Sequence, residues 1–336
     1  FGNYYANIRA YRQAIDYLMR VVNELPQSKE VPEALYEAAK AAYNEAVSNG
    51  SNDFGRALSY LGKIEKMPTD HLNNARVQAQ AKLLHGDILS ILAQYYEAAQ
   101  NFAECRNLAR GISLRLYFRA TGRLGDMMYV QAGTVSNPTE KEKLLKQALK
   151  YYEEIVTSFG FDFPMRQKAL YHCGLVHKMM ENMPLAEQCF RDVFENYFVQ
   201  VRLGQVPVDW FYCLKAGMEL VHYYRQSGQP YAAVWVYDRI ARAGIPTFSP
   251  WARSQAEKIR RQLVGSLPPR ARKLLDQIFQ VDLQNPGAVS TARGAITQLQ
   301  QEFPELARRW ETPIKSMQRL LKASNEKENT ATPPQK

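Results

Sequence analysis

Along YRQAIDYLMRVVNEL the apolar residues Ala14, Leu18, Val21 and Val22 return at helical spacing, with polar residues between them. That spacing gathers the apolar set on one face of an α-helix. YYEEIVTSF and CFRDVFENYF follow the same rule. Alternating runs of Val, Ile and Thr are missing, so the pattern predicts no strands. Asn49-Gly50 lies between two helical patterns and reads as a helix connector. Breaks fall at PQSKEVP, SNGSND, MPTDH, SNPTEKEK, FGFDFP, ENMP, SGQP, AGIPTFSP, GSLPP and NPG. There Pro, Gly, Ser, Asn and Asp supply turn chemistry. Helices of about ten to twenty residues with short connectors make an all-α chain.

A longer period runs above the helical one. A small residue on one helix is followed about twelve positions later by an Ala on the next. A large residue stands four after that Ala, and a medium apolar one seven after it. Ala14, Leu18 and Val21 fit the second half of this template, as do Ala57, Leu61 and Ile64. Gly86 leads to Ala98, Phe102 and Cys105, and Gly125 to Ala148, Tyr152 and Ile155. Gly174 leads to Ala186, Phe190 and Val193, and Val221 to Ala233, Tyr237 and Ile240. The pattern resembles the tetratricopeptide repeat (TPR), a helix-turn-helix unit of about 34 residues. About six copies span Tyr4 to Ile245, the first without most of its leading helix. The resemblance implies an α-solenoid of stacked helix-turn-helix repeats. In it the small positions let helices approach, and the large residue four after the Ala fills the space between them. Successive Ala positions are spaced roughly 43, 41, 50, 38 and 47 apart, longer than the family period. The surplus, including QAGTVSNPTEKEK and SNGSND, is expected in turns, lengthening helices or adding loops.

After Pro250 the template stops. WARSQAEKIRRQLVG, PRARKLLDQIFQVDL, PGAVSTARGAITQLQQEF and PELARRWETPIKSMQRLLKA each read as an amphipathic helix. Repeat arrays need polar-faced end units. The expected organisation is therefore a TPR-like array over 1–249, a basic C-terminal helical cap over 250–323, and a disordered polar tail over 324–336.

In a TPR array the first helices line a concave groove, so the resemblance implies that a peptide or protein partner binds there. Counted from the small residue of each first helix, the groove candidates lie three before, one after and four after it. Ala39 points to Tyr36, Lys40 and Tyr43; Gly86 to Asp87; Gly125 to Asp126 and Tyr129. Gly174 points to Tyr171 and Lys178, and Val221 to His222 and Arg225. The set lacks the Lys/Asn/Arg clamp with which some family members hold C-terminal carboxylates. ELPQSKEVPEALYEAAKAAY is also loosely similar to bacterial cell-envelope TPR proteins, which points to the envelope or periplasm.

Charge adds a second candidate surface. The net charge is +10, and Arg253 to Lys322 hold 13 Lys and Arg against 6 Asp and Glu. Arg253, Lys258, Arg260, Arg261, Arg270, Arg272 and Lys273 crowd together. An anionic surface, an acidic protein or nucleic acid is the alternative partner. Few aromatics interleave the patch and no nucleic-acid module is present, which argues against nucleic acid. A docking region of a larger protein is a further alternative.

Catalytic chemistry is not apparent. No G-x-x-x-x-G-K-[ST], G-x-G-x-x-G or G-x-S-x-G occurs. His172 and His177 are five apart and do not share a helix face. Adjacent Glu153 and Glu154 point apart on their helix. No metal site, cofactor or enzymatic activity is expected. Cys105, Cys173, Cys189 and Cys213 sit in apolar helical patterns as small hydrophobes, a Cys173–Cys189 disulfide being conceivable if their helices are antiparallel neighbours. No apolar run reaches the ~18 residues of a membrane span. The opening FGNYYANIRAYRQ has no signal-peptide pattern, and a start at Phe1 is expected of a processed or trimmed protein. The expected function is a non-catalytic protein-interaction scaffold.

Overall fold

A computed structural model of the chain describes residues 10–68, 72–158, 163–202, 209–263, 267–282, 285–311, 314–315, 317–319 and 321–322. The start of the first repeat copy and the 324–336 tail lie outside these residues. The described residues form helices joined by short turns, with no strand among them.

The chain divides into two compact units, Phe1–Ala186 and Glu187–Lys336. The first holds α1 (Tyr11–Glu24), α2 (Val31–Ser48), α3 (Gly55–Glu65), α4 (Leu72–Ile91), α5 (Tyr95–Ala109), α6 (Leu114–Thr134), α7 (Pro138–Thr157) and α8 (Phe163–Met179). Next comes α9 (Met183–Arg202), most of which belongs to the second unit. That unit continues with α10 (Phe211–Gln226), α11 (Pro230–Arg242), α12 (Phe248–Leu263), α13 (Pro269–Phe279), α14 (Pro286–Glu302) and α15 (Pro304–Arg309). In the first unit each helix from α1 to α7 packs on the one after it, and α2 also touches α4, as α4 touches α6. In the second unit α10 packs on α11, α11 on α12, α13 on α14 and α14 on α15. Consecutive helix pairs stacked this way are an all-α helical-repeat solenoid, closed by the cap α12–α15. The repeat template ends at 249, whereas the boundary between compact units falls earlier, after Ala186.

The repeating positions are the core. Ala57, Leu61 and Ile64 are buried, as are Ala98, Phe102 and Cys105. So are Ala148, Tyr152 and Ile155, then Ala186, Phe190 and Val193, then Ala233, Tyr237 and Ile240. Glycines mark the closest helix approaches. A Cβ on Gly86 would stand 2.5 Å from the Phe102 ring, and one on Gly125 would stand 2.7 Å from the Tyr152 ring. In both copies the large residue four after the Ala therefore seats on the small one. The sixth copy adds a contact that the template did not include. Gly217, one helical turn before Val221, lies under Phe194, with a Cβ-to-ring distance of 2.9 Å.

Two sequence expectations are corrected. PTEKEK is not a turn but the opening of α7, and the break shrinks to Val135–Asn137. Asn137 accepts hydrogen bonds from the Thr139 and Glu140 amides at 2.9 and 3.3 Å, and Pro138 opens the helix. Asn before Pro is the N-terminal signature of a helix, and here it outweighs the turn propensity of Ser, Asn and Pro. The last amphipathic stretch also breaks, with α15 ending at Arg309 and Trp310 leaving helical geometry.

Four repeats turn from first to second helix in the same way. Gly50, Ala93, Glu181 and Gly228 each take positive φ (63°, 59°, 60° and 69°). The next amide, of Ser51, Gln94, Asn182 or Gln229, then donates to a carbonyl five residues back, at 2.7–2.9 Å. Only the two glycines meet this geometry without steric cost. Ala93→Gly is therefore expected to stabilise the first unit, since relief of left-handed strain outweighs the added unfolded-state freedom by roughly 0.5 kcal/mol. A lower urea midpoint than wild type would contradict it.

The cap is fastened to α11. Arg242 donates to the carbonyls of Val281 at 2.8 Å and Gln280 at 2.6 Å. Trp310 packs on Tyr231 with ring centroids 4.9 Å apart. Ser249 accepts from the Ile245 amide and donates to the Ile240 carbonyl, both at 2.8 Å, which fixes the turn into α12.

Candidate functional site

The first helices of the first unit carry an acid–base ladder. Asp87 follows Gly86 on α4, and Asp126 follows Gly125 on α6. Each meets bases that stand two and six residues before the small residue of the next repeat. Arg123 donates from Nε to Asp87 Oδ1 at 2.8 Å, with Arg119 nearby. Lys168 Nζ lies 3.1 Å and His172 Nδ1 3.5 Å from the Asp126 carboxylate, on α8. Arg123 also reaches Asp126, at 3.5 Å, and joins the two rungs. The offsets −6, −2 and +1 share one helix face because they differ by four and three.

Tyr152 links ladder and core. Its ring fills the space over Gly125, while its hydroxyl donates to Asp126 Oδ1 at 2.8 Å. Burial pushes the Asp126 carboxyl up, but Lys168, His172, the Tyr152 hydroxyl and Arg123 outweigh it and hold it below the usual carboxylate range. Burial wins at Asp87, which lies above that range despite Arg123 and Arg119. Burial and then Asp126 raise the Tyr152 phenol well above its ordinary value.

At one end of this face stand aromatics. Tyr36 is half-buried, and burial followed by Glu37 pushes its phenol up to about 12. Tyr43 is half-buried, stacks on Phe54 at 5.7 Å and is also raised by burial. Arg119 and Asp87 both act on Tyr36, and Asp87 and Arg123 on Tyr43, which places α2, α4 and α6 around one surface. Lys40 is exposed and pairs with Glu37 at 3.2 Å. Arg119 is exposed and makes no hydrogen bond or ion pair among the described residues.

Of the other candidates from sequence, Tyr129 and Lys178 are half-buried and Tyr171 is 7% exposed, its ring edge-on to His172 at 5.7 Å. His222 and Arg225 are exposed on α10, in the second unit. Sequence reading missed Arg119, Arg123, Lys168 and His172. The signal for them was a base–base–small–acid order that half-occurs around Gly86 and Gly174 and is complete around Gly125.

Two further polar clusters tie helices together. Arg106 on α5 grips Glu154 on α7 at 2.9 and 3.0 Å and donates to Tyr117 at 2.7 Å and Thr121 at 3.0 Å on α6. Lys82 on α4 lies 2.9 Å from Glu65 on α3 and 2.8 Å from Glu104 on α5, and His85 Nδ1 meets Glu65 at 2.8 Å. Both bind second helices to first helices.

Some members of the basic C-terminal cluster are drawn into contacts within the protein. Arg260 turns inward to pair with Asp238, and Arg272 donates to the Leu267 carbonyl at 3.3 Å. Arg270 pairs with Glu302 at 3.2 Å, and Arg261 with Glu257 at 3.8 Å. Arg253, Lys258, Arg261, Arg270 and Lys273 remain exposed. Cys105, Cys173, Cys189 and Cys213 form no disulfide. Among the described residues no cluster of His, Cys, Asp and Glu is arranged to hold a metal, and no helix is long and apolar enough to cross a membrane.

No protein-family model matches the chain, and no curated protein does. Among solved structures it is similar to the crystal structure of BtubC (BKLC) from P. vanneervenii, at 11% sequence identity and a TM-score of 0.47. The alignment covers 77% of this chain and 91% of that one. A likeness so remote carries nothing about function.

Proposed function

We propose that this chain is a non-catalytic scaffold that binds a protein or peptide partner across the first-helix face of its first unit. The observation that carries the reading is the ladder itself. Asp87 and Asp126 are each committed to cations, and Tyr152 bolts the ladder to the core. A carboxylate held below its usual range by Lys168, Arg123 and the Tyr152 hydroxyl is poorly suited to proton transfer but well suited to a fixed, pre-organised surface. Beside that surface, half-buried Tyr36 and Tyr43 offer apolar bodies with polar tips, the side chains favoured in binding interfaces. TPR-like arrays use first-helix faces in this way, and the repeat template supports the analogy. The reading through an anionic surface or nucleic acid has less support, because Arg260 and Arg272 are spent on contacts within the protein.

The test uses the full-length chain and affinity capture from source cells. Tyr36→Ala with Tyr43→Ala is expected to remove the captured protein at moderate salt while the circular dichroism spectrum stays that of wild type. Capture that persists in the double variant and disappears only with Arg253→Glu and Lys258→Glu would overturn the proposal.

A further inference from the structure

The first helices of the first unit carry a charge excess that the ladder does not use up. With histidines left out, α6 and α8 hold six bases and one acid, whereas the second helices beside them, α5 and α7, hold five bases and six acids. The excess therefore belongs to one layer of helices rather than to the unit. Arg115, Arg119 and Arg123 follow one another at spacings of four, so they form one line along α6. On the ladder's face four permanent cations, these three and Lys168, stand against two carboxylates, Asp87 and Asp126. Both carboxylates are already paired, Asp87 with Arg123 at 2.8 Å and Asp126 with Lys168 at 3.1 Å. The acids on the same face of α2 are closed as well. Glu37 lies 3.2 Å from Lys40, and Glu33 lies 3.5 Å from Arg76. Arg115 and Arg119 remain, both exposed, and neither makes a hydrogen bond or ion pair among the described residues. Arg119 acts on Tyr36 and on Asp87, which sets it beside the aromatic end of the face.

We infer that Arg115 and Arg119 hold the side-chain carboxylates of an acidic segment in the partner protein. The inference deepens the scaffold reading and rests on it. Charge complementarity selects the occupant, and the excess persists with Asp87 and Asp126 included and every histidine neutral. Arginine stays protonated in a protein, and its planar fork takes a carboxylate through two parallel hydrogen bonds. Four residues of helix separate the two side chains by about 6 Å. That separation matches carboxylates at alternate positions of an extended chain, which share one face at roughly 6–7 Å. Nucleic acid and membrane are poorer matches. Two unspent arginines fall short of the roughly six to ten phosphate contacts of a strongly salt-dependent nucleic-acid binder. They also fall short of the roughly four to eight bases that mark a lipid-binding cluster.

The test uses the full chain and fluorescence anisotropy at moderate salt. The probes are a synthetic peptide with Glu at alternate positions among Ser, Leu and Tyr, its twin with Lys in place of Glu, single-stranded oligothymidine, and vesicles of phosphatidylcholine with phosphatidylserine. Wild type is expected to bind the Glu peptide and not the Lys twin. Arg115→Glu with Arg119→Glu is expected to weaken the Glu peptide at least about tenfold. Lys143→Glu with Lys150→Glu makes the same change of net charge on α7, and screening at that salt should hold its effect within about twofold. All four positions are exposed, so the circular dichroism of both variants should match wild type. Equal affinity for both peptides, an equal loss in the two reversal variants, or a preference for the oligonucleotide or the vesicles would overturn the inference. Cellular capture that needs Tyr36 and Tyr43 but ignores the reversal at Arg115 and Arg119 would overturn it while leaving the scaffold reading in place. Capture that needs neither pair would overturn both.

Discussion

Gly125→Leu is expected to destabilise the first unit by roughly 3 kcal/mol or more, the upper range for overpacking a core. Any Cβ at 125 enters the Tyr152 ring, three of whose carbons lie within 3.1 Å of the Cβ position. That ring has no easy retreat. It is 1% exposed, and its hydroxyl is held by Asp126. Displacing it opens the core and breaks the ladder together. Gly133→Leu on the same helix is the control, because nothing lies within 4 Å of its Cβ position, and stability should change by less than about 1 kcal/mol. Chemical denaturation of both variants checks the contrast. Similar midpoints for the two would mean that Gly125 is not a packing device.

That contrast shows what the sequence made legible and what it did not. The recurrence of Gly86, Gly125, Ala98, Ala148, Phe102 and Tyr152 was enough for the helix pairing, because close packing demands small against large at fixed offsets. The α7 boundary was misread at PTEKEK because turn-forming residues also cap helices, and only the amides that follow decide between the two. The ladder was half visible. Asp87 and Asp126 fell at a template offset. Arg119, Arg123, Lys168 and His172 fell at none of the offsets used, and the repeat surplus hid that both groups of bases precede a glycine by the same distances. The inward turn of Arg260 was not legible at all. Whether an Arg faces water or Asp238 depends on which helix packs beneath it, and local pattern does not carry that.

Asp126→Ala is expected to cost about 2 kcal/mol, below the 3–5 kcal/mol typical of breaking a fully buried ion pair. The discount reflects its partners: the side chains of Lys168 and Arg123 are 30% and 41% exposed, so water replaces part of what they lose. The Tyr152 hydroxyl, left inside without its acceptor, adds to the cost. The same carboxylate sets a pH dependence. Its folded value lies below the ordinary one, so its contribution is complete above the unfolded value of about 4 and is lost as pH falls through the folded value. Asp87 is shifted the other way and does not add to this loss. Wild type should therefore lose more stability than Asp126→Asn as pH falls below about 4, and the two curves should run parallel at neutral pH. Equal acid sensitivity would remove Asp126 from the ladder's energetics.

The most direct test of the central claim, that the first-helix face of the first unit receives the partner, is site-specific photocrosslinking in source cells. A photoreactive phenylalanine analogue is placed at Tyr43 on α2 in one full-length chain. In another it is placed at Tyr96 on the second helix α5, a residue that is 68% exposed. The account expects a discrete crosslinked protein from position 43 and none from position 96, although position 96 is the more open. The same band from position 96 with none from position 43 would contradict it.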